Sequence, residues 1–457
     1  MKKARVSLLV LVALLIAGIV AGCAVAPEQQ TPAVQGPAQQ EPEQEPEEEE
    51  EPQEPVNITF LNTKGEIAAQ LEEVANLFSD ENPGITLEII PVAAGISPFQ
   101  TLTVLYNAGN APSLSMIDSG DFPRLKDNFL SLNDERWMAD VLEGSTTAST
   151  FDGVNYGFPF TIEGFGFIYN REVLNQAFGG NFDPASITTR AALKDAFDRV
   201  EATGADALVI SPMDWSLGAH MFSLFYLAVG EGNQAAYDSL FEDLKAGNAD
   251  LANNQDFNNW LDTFDMLKSY NWAIDDPLSI TYEKGAELLG KSEIGFWFMG
   301  NWAWPQIYQF DTTGGQFGFV PFPMSDNAAD FGNDSIVAFA SKRVAVDKAQ
   351  NSAEQQEAAK TFLNWLVYEE SGQQALVQTL NIIPAFTNIT IPVADPLGQS
   401  ISALMASGNS MAFIDSYSLF PPDHWARVGA SLQKYLGGHT DRAGLASEIE
   451  EYWSNVE

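Results

Sequence analysis

The chain has 457 residues with 62 acidic against 22 basic side chains, a formal charge of −40. So acidic a body excludes nucleic acid and anionic lipid headgroups as partners held by charge, and reads first as a solubility device for a protein that works outside the cell. The lone cysteine, Cys23, excludes an internal disulfide, and the length beyond residue 55 exceeds one ordinary core, so two domains are expected.

Lys2, Lys3 and Arg5 precede an unbroken small and apolar run over residues 6–22. A charged start followed by such a run is the order of a secretory signal, although its length also reaches the lower limit for a spanning helix. Val20-Ala21-Gly22-Cys23 is similar to a bacterial lipobox. That resemblance implies a signal peptide over residues 1–22 and a palmitate-type lipid attached at Cys23, holding the protein on the outer face of the cell membrane. Residues 23–55 are rich in Pro, Gln and Glu and carry no aromatic side chain. They cannot bury enough apolar surface to order themselves, and self-repulsion keeps them extended as a tether.

The folded part opens with an apolar run at residues 56–61. Ile67, Leu71, Val74, Leu77 and Phe78 then recur at helical spacing, and Asn82-Pro83-Gly84 stops them. Ile85, Leu87 and Ile89 alternate as a second strand, so the opening predicts a β-α-β unit with parallel strands. Another apolar strand, residues 114–117, ends in Asp118-Ser119-Gly120-Asp121. Asp152-Gly153 predicts a β-turn between strand-like runs. Later, residues 293–299 read as a buried strand and residues 353–367 as a helix burying Phe362, Leu363, Leu366 and Val367. The fold class is therefore α/β.

Four segments carry a family resemblance. Residues 151–174 read FDGVNYGFPFTIEGFGFIYNREVL, where Gly153, Tyr156, Gly157, Pro159, Tyr169, Asn170 and Arg171 form G-x-x-YG-x-P followed by YN-R. Residues 58–90 (ITFLNTKGEIAAQLEEVANLFSDENPGITLEII), 294–307 (IGFWFMGNWAWPQI) and 361–386 (TFLNWLVYEESGQQALVQTLNIIPAF) follow in the family's order. The sequence thus resembles the family 1 extracellular solute-binding proteins of ABC importers, the maltodextrin and oligosaccharide binders in particular. The resemblance implies a two-lobed periplasmic-binding-protein-like fold with several hinge crossovers and a ligand cleft between the lobes. The expected N-terminal lobe holds residues 56–160 plus 316–372, and the C-terminal lobe residues 161–315 plus 373–457. It further implies a sugar ligand, ABC permease subunits as partners, a monomer, and no cofactor.

Sugars present apolar C–H faces and a rim of hydroxyls, which call for flat aromatic platforms and planar polar groups. Trp302 matches the family's stacking Trp in the G-x-W turn, and Asn301 beside it offers an amide; Trp297 and Trp304 read as core. Glu163 matches an acidic residue that faces the family's cleft. Lys64 and Glu66 lie in the first strand-to-helix turn, and Asp118 and Asp121 at a strand end, where open α/β sheets place ligands. The family's Trp and Arg near Asp118 are missing, which points away from maltodextrin itself. Loop clusters at Met213-Asp214-Trp215, Gly332-Asn333-Asp334 and Asp423-His424-Trp425 add Trp215, Asn333, Asp334, Asp423 and Trp425 as ligand candidates.

The competing class is a secreted glycoside hydrolase, which would use similar platforms and a carboxylate pair. No G-x-S-x-G, H-E-x-x-H or second cysteine is present, and His220, His424 and His439 are scattered, so neither catalytic residues nor a metal site are expected. The acidic loop at residues 326–334 lacks EF-hand spacing.

Overall fold

Strands β1 (Val56–Asn62) and β2 (Ile85–Pro91) run parallel around the helix Ala68–Glu81, the opening unit that the alternation predicts. The structure, a computed structural model, describes residues 55–92, 97–413, 420–421 and 423–456. The signal, Cys23 and nearly all of the tether lie outside them; residues 53–457 form one compact unit. The remaining strands are β3 (Leu114–Asp118), β4 (Thr150–Phe151), β5 (Val154–Asn155), β6 (Phe158–Asn170), β7 (Asp206–Val209), β8 (Ile294–Gly300), β9 (Phe317–Val320), β10 (Ile336–Val346) and β11 (Ser410–Met411). Asp152 and Gly153, both at positive φ, join β4 to β5 as the expected tight turn.

Among the described residues one sheet carries nine strands, in the path β2-β1-β3-β10-β6-β8-β7, with β9 on β6 and β11 on β10. Its middle is built by two long antiparallel strands. The first part of β6, Phe158 to Phe165, pairs with β10, and the rest pairs with β8 and β9. Every residue of β6 is buried, as expected for a strand covered on both faces. Two large cores flank this spine. One gathers Ile58, Phe60, Phe78, Leu114, Trp137, Phe158 and Phe362; the other gathers Phe167, Phe197, Phe225, Trp260, Phe298 and Leu432. The helix Ala353–Tyr368, closed at its start by a Ser352–Gln355 capping box, buries Phe362 against Phe60 and Phe78.

Two later segments are fixed by pairing with distant strands. Phe317–Val320 pairs with Phe167 to Asn170, and β10 then runs back along the first part of β6. Residues 375–393 join the first core: Ile383 bridges to Ile162, and the Phe386 ring packs on Trp137 and Phe158. The reason is packing. The Phe386 ring of this returning segment meets the buried Trp137 edge to face, an interaction that local periodicity does not encode.

Candidate functional site

The carboxyl ends of β1, β3 and β8 converge on the middle of β6. After β1, the Asn62 side chain accepts from the Lys64 backbone N–H at 2.9 Å and donates to its carbonyl at 3.0 Å, which fixes the turn. The Lys64 ammonium then pairs with Glu163 of β6 and, at 2.6 Å, with Glu66. Lys64 is only 5% exposed and Glu163 6%. Burial alone pulls the lysine pKa down and pushes the carboxyl up; the mutual attraction outweighs it, so Lys64 is held above and Glu163 below its ordinary value.

A bulge in β10 completes the polar group. Ala340 faces Ile162 and Lys342 faces Thr161, leaving Ser341 as the extra residue. Bulges re-aim side chains, and here the Ser341 hydroxyl donates to Glu163 while Lys342 reaches Asp118 across the β3–β10 ladder. Asp121, one turn on from Asp118, is pushed up to about 7, by burial first and by Asp118 second, against the opposing pull of Lys342 and Arg124.

Aromatic rings cover the neighbouring volume. The indole of Trp302 lies 4.9 Å from the His220 ring and 6.3 Å from Trp215; His220 also packs at 4.7 Å on Phe165 of β6. Tyr282 stands 6.1 Å from Trp215. Burial among these rings lowers His220 to about 4, so it is neutral at pH 7. Two glycine features make the cluster possible. A Cβ on Gly300 would lie 2.1 Å from the Trp302 ring, so glycine there lets the indole fold back over the turn. Gly218 and Gly429 let the π-helical segment Ser216–Met221, which carries His220, cross the helix His424–Leu436 in close backbone contact. Asn301 accepts from the Gly164 backbone N–H at 3.0 Å, tying the turn to β6.

A family model described as bacterial extracellular solute-binding protein matches residues 73–396. The chain belongs to that family. Solved structures agree in fold: the solute-binding protein RafE in complex with raffinose (15% identity, 87% of this chain and 99% of that one, TM-score 0.71) is one. Others are a chitin oligosaccharide binding protein (19%, 87% and 98%, 0.69) and a sugar transporter protein from Bacillus licheniformis in complex with stachyose (18%, 88% and 100%, 0.65). No curated protein sequence matches. The fold is thus that of the two-lobed solute-binding proteins, with β6 and β10 at its centre.

In this family member, Lys64, Glu66, Asp118, Asp121, Glu163, Trp215, Asn301 and Trp302 gather at the strand ends. Trp297 is fully buried, as expected, whereas Trp304 is half-buried against Tyr308 and Phe317. Asn333 is not in the group. Buried to 1% exposure, it accepts from Met324 N–H and donates to Ser325 and Asn327, so all its capacity is used inside its own loop. Asp334, near Asn409, accompanies it on that loop. Asp423 accepts from Tyr452 at 3.1 Å at the start of the helix His424–Leu436, and Trp425 is 36% exposed on its first turn.

Ser341, Lys342, His220, Phe165 and Tyr282 escaped the sequence reading. The interruption of the apolar run IVAFA by SKR is the signal that could have flagged Ser341 and Lys342. Past the Asp118–Asp121 turn opens a pocket of about 990 Å³, walled by Gly120 and Arg124 on one side and by Asp423 and Arg427 on the other. Among the described residues no group of three His, Cys, Asp or Glu is placed to hold a metal, and no helix is long and apolar enough to cross a membrane.

Proposed function

We propose that this solute-binding protein captures an oligosaccharide between its lobes and presents it to the permease subunits of an ABC importer, while lipid on Cys23 holds it at the outer face of the cell membrane. The observation that carries the sugar reading is the meeting of Trp302, Trp215, Phe165 and Tyr282 with the buried Lys64–Glu163 pair and its Ser341 partner at one set of strand ends. Flat rings suit sugar C–H faces, and a rigid ion pair beside them offers fixed polar partners to hydroxyls. Structural neighbours whose names mention raffinose, stachyose and chitin oligosaccharide support the same class. The lobes would close about β6 and β10, the strands that both halves share, and closure would signal occupancy to the permease.

The site binds rather than hydrolyses in this reading. Glu163 and Asp118 are each engaged by a lysine, which leaves neither as a ready nucleophile.

Trp302→Ala is the direct test. A half-buried stacked indole contributes about 1–3 kcal/mol to binding, so affinity for the captured sugar should fall about 5- to 150-fold in calorimetric titration. A large drop in melting temperature with unchanged affinity would make Trp302 a core residue and move the platform to Trp215.

A further inference from the structure

The pocket past the Asp118–Asp121 turn collects unpaired positive charge in a chain of net charge −40. Arg124, Lys245 and Arg427 line it, and none of them has a carboxylate within ion-pair distance among the described residues. With nearly three acidic side chains to each basic one, cations left over together are not what a random surface provides. Lys434 also lines the pocket, but Glu448 neutralises it at 3.0 Å. Two further carboxylates face the space, Asp423, already holding the Tyr452 hydroxyl, and Glu451.

Among the described lining residues the charges sum to about one positive. Arg124 is braced: its guanidinium carbon lies 3.1 Å from the centroid of the Phe99 ring, a stacking that leaves the in-plane N–H fork free. The walls belong to both halves of the sheet. Gly120 and Arg124 follow β3 and share its terminal turn with Asp121, whereas Arg427 sits on the helix that crosses the His220 segment. A ligand running from Trp302 past Asp121 would therefore meet Arg124 and Arg427 from opposite sides.

We infer that this pocket is a subsite for a carboxylate carried by the captured sugar, so that the ligand is an oligosaccharide containing a uronic or sialic acid residue. The inference rests on the oligosaccharide reading above. A monoanion matches the residual charge better than a phosphate or sulfate ester does, and the planar guanidinium fork matches carboxylate geometry. The acidic body does not forbid this, because beyond about 8 Å its field is screened at physiological salt and the local cations decide.

Matched neutral and acidic sugars test it on the mature protein: xylotetraose with its glucuronic-acid-branched form, and lactose with 3′-sialyllactose, by thermal shift and then calorimetric titration. The expected result is an acidic member bound about tenfold or more tighter than its neutral partner, the scale of one charge-assisted contact. The preference should shrink as salt is raised. In the Arg124→Gln/Arg427→Gln variant the preference should vanish while the neutral sugar binds as before, which also shows that the variant is folded. Equal affinity within each pair, or tighter neutral binding, overturns the subsite and leaves oligosaccharide capture standing. If neither pair binds, and a panel of raffinose, stachyose and chitotetraose gives no shift either, oligosaccharide capture fails and the subsite with it.

Discussion

Gly300-Asn301-Trp302 and Gly332-Asn333-Asp334 look alike in the sequence: each sets an asparagine beside a glycine at a joint. They do opposite work. Asn301 reaches out of its turn to the Gly164 backbone of β6, so its joint becomes part of the central cluster. Asn333 turns inward and spends its amide on Met324, Ser325 and Asn327 of its own connection. What separates them is what lies opposite. Gly300 ends a strand that is already paired to β6, whereas Asn333 lies in the connection between β9 and β10, where Met324, Ser325 and Asn327 fall within reach of its amide. A polar residue in a loop is therefore a binding candidate only when the loop abuts another element's open backbone or side chain.

Three substitutions sharpen that contrast. The largest effect is expected at Glu163, where the polar contact is both long-range and buried. Glu163→Ala leaves the Lys64 ammonium buried with Glu66 alone, and removing one member of a buried pair costs about 3–5 kcal/mol. A urea denaturation midpoint reads the loss, and Lys64→Met/Glu163→Leu should recover most of it. If the single variant is as stable as the parent, the pair is solvated and the site is more open than described.

Asn333→Ala comes next. It strands the buried Met324 N–H, a penalty of about 1–3 kcal/mol, yet affinity for the captured sugar should not change, because every partner of Asn333 is local. Weakened binding with unaltered stability would place that loop at the ligand after all.

The third test is a pH dependence at Asp121. Its folded pKa of about 7 lies above the unfolded carboxylate value, so the folded state binds the extra proton between the two. The stability contribution is therefore greatest in acid and falls as pH rises from about 4 to 7. Asp121→Asn should melt close to the parent at pH 4.5 and above it at pH 8. Equal melting temperatures at both pH values would mean that Asp121 titrates normally, in contact with water.

Lys64 and Asp118 are read from apolar runs that end beside them, since open α/β sheets place ligands at strand ends, whereas Glu163 and Trp302 are read from the family resemblance of their segments. His220 is not, because a lone histidine in SLGAHM gives no sign that Phe165 and Trp302, distant in the chain, will enclose it. Lys342 was masked by its strand: IVAFASKRVAV reads as apolar with a polar break, and only the bulge shows that the break aims two side chains at the cluster.

Local periodicity by itself determined the β-α-β opening, the strand at residues 294–300, the helix Ala353–Tyr368 and the Asp152-Gly153 turn, since each is a pattern of burial within one short segment. Tertiary structure decided which strands residues 317–320 and Ile383 meet, and which charges meet across β3, β6 and β10. These outcomes depend on strand register between segments more than a hundred residues apart. A one-residue change of register reverses every side chain, and no pattern inside either strand specifies it.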